Sequence, residues 1–203
     1  MRIRNVIITD SLGEPSKSSC MQIQINALGV AGLLALAPAA AFAVDYMNLE
    51  QAAQLFFPQA DRFSDQEWAL DVDALQQLSA MGVKPRSTRW TLRRAWQGKT
   101  LLGVVVGDAV LGKFELISYA VGIDAEGKLI GVEVLSYRES HGQEVRMPAW
   151  RKQFVGKTAA APLKVGEDVA NISGATLSCT HLTEGIRRVV NVVELARKRG
   201  QLG

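Results

Sequence analysis

From residue 44 onward the alternation of apolar and polar positions changes period twice. Leu49, Ala52, Ala53, Phe56 and Phe57 recur at helical spacing, with Pro58 to stop them. Asn48 sits where a helix cap belongs, and Gln51 three residues on completes a capping box. Asp71 to Met81 reads as a second helix closed by Gly82. From Arg89 the period drops to two. Trp90, Leu92, Arg94 and Trp96 alternate with Arg89, Thr91, Arg93 and Ala95, a Gln97-Gly98 turn follows, and Leu102, Val104 and Val106 resume the pattern. Phe114 to Ile123 is a further β-rich run, and Ala125-Glu126-Gly127 turns it into Lys128 to Tyr137. Links this short join antiparallel neighbours, because a parallel crossover needs a dozen residues or more. Pro148 opens a helix that holds Phe154 and ends before Gly156. The clearest segment is the last one. Leu182, Ile186, Val189, Val190, Val193 and Ala196 form one stripe on a long helix. The order predicts an α+β domain, an antiparallel meander sheet with helices over one face.

Before residue 44 the hydropathy is of another kind. Residues 27–44 carry no charge, are rich in alanine and include Pro38, which is poor mid-membrane sequence. Ala41 and Ala43 put small residues where signal peptidase reads them. Residues 1–43 are therefore expected to be a signal peptide, with Met21 as an alternative start and a retained membrane anchor as the competing reading. The expected domain plan is a leader over 1–43, a helical segment over 44–88, and the main α+β domain over 89–203.

The chain has 203 residues, 48% of them hydrophobic, which suits one globular domain behind a leader. Two cysteines, Cys20 and Cys179, rule out a disulfide scaffold. A net charge of +3 is too small to argue for nucleic acid. Two histidines and no paired cysteines leave little for a metal site.

Three features bear on chemistry. Lys84, Arg86, Arg89, Arg93, Arg94 and Lys99 come with Trp90 and Trp96 and no acid among them. That composition suits a single-stranded nucleic-acid surface, but alternating strands with core tryptophans produce it routinely, and no nucleic-acid partner is expected. Glu139, Ser140, His141 and Gly142, with Glu144 just beyond, follow a strand and precede a helix. They read either as an acid–base or metal group or as a polar loop. The most specific feature runs from Asp168 through Ser173, Gly174, Ala175, Thr176, Leu177 and Ser178 into the long helix. Small residues lead there to a helix start, where free N–H groups and the dipole favour a phosphate. An ordinary Ser/Thr cap is the plainer alternative.

Ser173-Gly174-Ala175-Thr176, with a hydroxyl residue two places on and an aspartate before it, resembles the flavinylation motif of FMN-binding domains. Such domains occur in one subunit of the sodium-pumping NADH:quinone reductase and in one subunit of the Rnf electron-transport complex. The resemblance runs from about Phe114 to Val193. Larger members carry Glu-Thr-Pro-Gly where this chain has Glu139-Ser140-His141-Gly142.

The resemblance implies FMN held covalently on Thr176 through a phosphoester. A separate flavin transferase, using FAD and Mg²⁺, would make the bond. Asp168 would assist at the threonine, while Ser173, Gly174 and Ala175 keep the loop small. Leu177 and Ser178 would lie beside the phosphate, and the Glu139–Gly142 loop is the candidate contact for the ring. The expected product is a periplasmic electron carrier with membrane or periplasmic redox partners, rather than a stand-alone enzyme. The alternatives are an exported binding or sensory domain without covalent flavin, and a flavin-dependent reductase.

Overall fold

The computed structural model describes residues 44–202. The leader, Met21, Cys20 and the cleavage signal at Ala41–Ala43 lie outside the described residues. The described residues form one compact unit.

Six strands make one antiparallel sheet: β1 (Val44–Asp45), β2 (Arg62–Ala69), β3 (Arg89–Gln97), β4 (Thr100–Leu111), β5 (Leu116–Asp124) and β6 (Leu129–Tyr137). Strands β2 to β6 are a meander, and β1 closes the far edge by pairing Val44 with Tyr137. Four helices accompany them: α1 (Leu49–Phe56), α2 (Val72–Ala80), α3 (Pro148–Arg151) and α4 (Thr176–Lys198).

The local signals read from the sequence are present. Asn48 and Gln51 form the capping box of α1. Asp71 caps α2 by accepting from the Ala74 N–H at 2.7 Å. Every member of the predicted α4 stripe is buried. That stripe packs with Leu92, Val104, Val106, Ile117, Tyr119, Val121 and Val132 into the main core.

Three features differ from the sequence reading. First, both faces of the sheet are covered. Ala95, Val105 and Ala120 point away from α4 and pack against Ala52, Ala53 and Phe57 at α1. Second, β2 is a strand that the hydrophobic pattern does not predict, and it places residues 62–69 in the same sheet as the strands after 89. It is an edge strand in which Trp68 alone is buried, so its hydrophobic alternation is faint. Cross-strand pairs hold it instead: Asp65 takes both Arg93 Nε and Nη2 at 2.8 Å, and Trp96 Nε1 donates to Ser64 Oγ at 3.0 Å. Third, the helix at Pro148 lasts four residues and tightens into a 3-10 turn at Lys152–Phe154. The tighter turn carries the fully buried Phe154 into the core, edge-on to Trp150 with ring centroids 5.1 Å apart.

The direction of α4 positions the site. Its first turns face the end of β4, where His181 Nδ1 donates to the Leu111 carbonyl at 2.6 Å. Gly185 packs so closely on Tyr119 that a Cβ would stand 2.3 Å from the phenol oxygen. Arg188 Nη2 donates to Asp108 Oδ2 at 2.6 Å, and Tyr119 Oη donates to the same oxygen at 2.8 Å. Glu194 and Arg197 then reach Gly127, in the β5–β6 turn at the opposite end of the sheet. The start of α4 therefore lies beside the β4–β5 turn and the segment that follows β6.

Candidate functional site

Thr176 is the first residue of α4, and the residue before it, Ala175, is the cap. No side chain caps this helix. The first intrahelical bond there runs from the Cys179 N–H to the Ala175 carbonyl at 2.9 Å. The N–H groups of Thr176, Leu177 and Ser178 thus lie unclaimed at the positive end of a 23-residue helix. The Thr176 hydroxyl is not the cap, so it is free for other work. It lies exposed and accepts from Asn171 Nδ2 at 3.1 Å. Gly174 supplies the left-handed turn (φ +86°) that brings the loop to the helix.

The residues after β6 meet this helix start. Tyr137 Oη donates to the His141 carbonyl at 2.5 Å and lies 3.2 Å from Ser178 Oγ. Gly142 fits between them at φ +85°, where a Cβ would stand 2.7 Å from Tyr137 Oη and 2.9 Å from Ser178 Oγ. Burial pushes the Tyr137 phenol above its usual range. It therefore stays protonated and keeps the loop tied down. Ser178 is buried with its hydroxyl engaged, so it is not presented to solvent as Thr176 is.

Two clefts share Ser140, His141 and Gly174 in their walls. One, of about 520 Å³, is lined by Thr176, Leu177, Ser178, Glu139, Lys113 and Phe114. The other, of about 610 Å³, lies between Gly174 and the 3-10 turn at Gln143–Arg146. Both fall within the roughly 300–1,000 Å³ of small-molecule and cofactor sites. The uncapped helix start, the free hydroxyl and an adjoining cleft fit a phosphorylated ring cofactor.

Of the residues picked out in the sequence, Glu139, Ser140, His141, Gly142, Gly174, Ala175, Thr176, Leu177 and Ser178 come together here. Ser173 is exposed in the same loop. Glu139 is present but turned to another task. It is buried, and its Oε1 accepts from the Phe114 and Glu115 N–H groups at 2.5 and 2.9 Å. His141 Nδ1 pairs with Ser140 Oγ at 2.9 Å, and no group of three or more metal-ligating side chains occurs among the described residues.

Asp168 makes no hydrogen bond to Thr176. Its carboxylate is spent on the Lys164 N–H at 2.8 Å, the Lys157 ammonium at 2.9 Å and the Leu163 N–H at 3.2 Å. The Lys157 backbone in turn binds Leu129, at the far end of β6 from the cleft. Asn171 is the residue that reaches the threonine, and its place five residues before Thr176 is its only sequence signal. Lys113 and Phe114 also escape the sequence reading. The β-rich pattern puts Phe114 at the start of β5, but it lies in the turn before that strand.

Asp168 orders its loop. Burial alone would raise its pKa, but the Lys164 and Leu163 N–H groups and Lys157 outweigh that and hold it below the usual carboxylate value. Its contribution is present above the unfolded pKa of about 4 and is lost as pH falls through the lower folded value. Asp168→Asn is expected to cost about 1–3 kcal/mol near neutrality. Urea unfolding of both proteins should show that difference at pH 7 and a progressively smaller one as pH is taken below about 4.

The basic segment is dispersed. Arg93 pairs with Asp65 and Glu50, Arg89 lies 3.9 Å from Glu67, and Trp90 is core.

Comparison with known proteins agrees with the cleft. Residues 112–191 match the family described as the FMN-binding domain. One subunit of the ion-translocating oxidoreductase complex of Vibrio parahaemolyticus is 29% identical over 104 residues, 46% of this chain and 48% of that protein. The chain thus spans about half the length of that relative. The same subunit of the Shewanella oneidensis complex is 24% identical over 197 residues, 88% of this chain and 90% of the relative. The crystal structure of Shewanella oneidensis NqrC shares the fold with a TM-score of 0.50 at 17% identity, over 73% of this chain and 87% of the other.

Proposed function

We propose, from the premise that residues 112–191 belong to the FMN-binding domain family of electron-transfer proteins, that this chain is a periplasmic electron carrier with FMN held by a phosphoester on Thr176. The observation that carries this reading is the exposed Thr176 hydroxyl beside three unclaimed N–H groups at the start of α4. The rival hydroxyls are less suited: Ser178 is buried, Thr180 is half-buried within the helix, and Ser173 precedes the helix start.

The bond needs a partner enzyme. In a Mg²⁺-dependent flavin transferase, the Thr176 oxygen attacks the FMN-side phosphorus of FAD. A threonine O–P bond forms, the pyrophosphate P–O bond breaks, AMP leaves, and the hydroxyl proton passes to a base of the transferase. Ser173 and Gly174, small and exposed, let the loop enter that site. Afterwards the N–H groups of Thr176, Leu177 and Ser178 face the phosphate, where the helix dipole also favours negative charge. Ser140 and His141 edge both clefts, where they would meet the ring. When bound, the isoalloxazine supplies reversible electron uptake, and the protein sets access and potential.

The two relatives are named as subunits of ion-translocating oxidoreductase complexes. Their likeness supports electron exchange with membrane or periplasmic redox partners, over a substrate of the chain's own. Export also favours a covalent link, since free FMN to replace a lost cofactor is scarce outside the cytoplasm. The test is co-expression of the full chain with a flavin transferase, followed by fluorescence of the denatured band in a gel. A fluorescent band is expected, and a colourless protein beside an active transferase contradicts the reading.

Cleavage after Ala43 would leave Val44 first. Intact mass of protein from the periplasmic fraction should begin at Val44, and full-length chain in membranes would favour the anchor instead.

A further inference from the structure

Lys113 and Phe114, in the β4–β5 turn, line the same cleft as Thr176. Phe114 is 71% exposed, more than any other large apolar side chain among the described residues. Lys113 Nζ lies 4.8 Å from its ring centroid and forms no ion pair among the described residues. An exposed aromatic ring with an ammonium beside it at a cleft mouth suits a flat, apolar ring that gains negative charge.

The turn is also held, not loose. Glu139 accepts from the N–H groups of both Phe114 and Glu115, and the Gly112 N–H donates to the Glu115 carbonyl at 2.8 Å. Gly112 is needed for this, because a Cβ there would stand 2.5 Å from Glu139 Oε1. Glu139 thus fixes the turn against the loop that carries Ser140 and His141. Two walls face one cleft, and one buried carboxylate joins them.

We propose that Lys113 and Phe114 form the second wall of the flavin cleft. Phe114 covers a face of the isoalloxazine ring, and Lys113 favours its reduced form by charge. Glu139 is the positioning residue for both. The inference rests on the flavin site at Thr176. Two-electron reduction with uptake of one proton leaves one negative charge on the ring, which an ammonium in the cleft stabilises.

The test uses the flavin-loaded full chain, with attachment at Thr176 verified by mass before any other reading. Lys113→Gln should load normally and make reduction about tenfold less favourable, roughly 30 mV lower for a two-electron couple. Lys113→Arg should restore most of the shift. Phe114→Ala should load normally and leave the flavin markedly more open to quenching by acrylamide, a neutral probe insensitive to Lys113. Loaded variants with unchanged potential and unchanged quenching overturn the second wall while leaving the Thr176 site intact. A wild-type chain that takes no flavin overturns both.

Discussion

Replacing Thr176 with alanine is expected to abolish covalent flavin while leaving the fold intact. The phosphoester needs a hydroxyl nucleophile, and alanine has none. The loss should cost little stability. Thr176 is exposed, it is not the helix cap, and its one side-chain bond is the 3.1 Å contact from Asn171. Surface changes of this kind usually stay within about 0.5 kcal/mol. Thr176→Ser keeps a hydroxyl and should retain flavin at reduced yield. Gel fluorescence under denaturing conditions reads the flavin, and thermal unfolding reads the fold. Fluorescence that persists in Thr176→Ala would move the acceptor to another hydroxyl.

The largest effect on stability is expected at Asp108. Its Oδ2 accepts from Arg188 and Tyr119, and its Oδ1 accepts from the Ala109 N–H at 2.8 Å. The Arg188 and Asp108 side chains are 11% and 15% exposed, so the pair is nearly out of water. Asp108→Ala leaves the guanidinium and the Tyr119 hydroxyl unpaired beneath α4, at a cost of about 3–5 kcal/mol. That is a large share of a typical domain stability of about 5–15 kcal/mol, and it should lower the melting temperature by roughly 10 °C. Adding Arg188→Met should recover much of the loss, since a missing pair costs less than a stranded charge. The pair lies about 18 Å along α4 from Thr176, so it also fixes the position of the helix that presents the hydroxyl. A drop under about 1 kcal/mol in chemical unfolding would show that the pair is dispensable.

The elements legible in the sequence are those whose local pattern and burial agree. The α4 stripe and the strands around Val104 and Val132 keep a regular hydrophobic period, and the capping box at Asn48 is a contiguous local signal. β2 is not legible because an edge strand buries little, and its support comes from Arg93 and Trp96 across the ladder. The second covered face is not legible either. Val105 and Ala120 lie between core residues of the other face, Ala95 lies between Arg94 and Trp96, and nothing local says that α1 returns to cover them.

The candidate site is readable where chemistry and chain order coincide. Ser173 to Ser178 form a contiguous run, and the structure keeps them together. Long-range partners are not readable. Asp168 looks close to Thr176 in sequence, but the loop carries it toward Lys157 and Leu129. Glu139 looks like a ring contact, yet its carboxylate is taken by N–H groups 24 and 25 residues away. Lys113 and Phe114 enter the cleft only because β4 and β5 return the chain to the end of β6.

The proposed phosphoester is a bond to one atom, and peptide mapping locates it. Trypsin should release residues 165–187 as one peptide, which holds Ser173, Thr176, Ser178, Thr180 and Thr183. After co-expression with a flavin transferase, that peptide should gain the mass of one FMN less water, and fragmentation should place it on Thr176. The same mass on Ser173, Ser178, Thr180 or Thr183, or an unmodified peptide from a chain exposed to active transferase, would contradict the account.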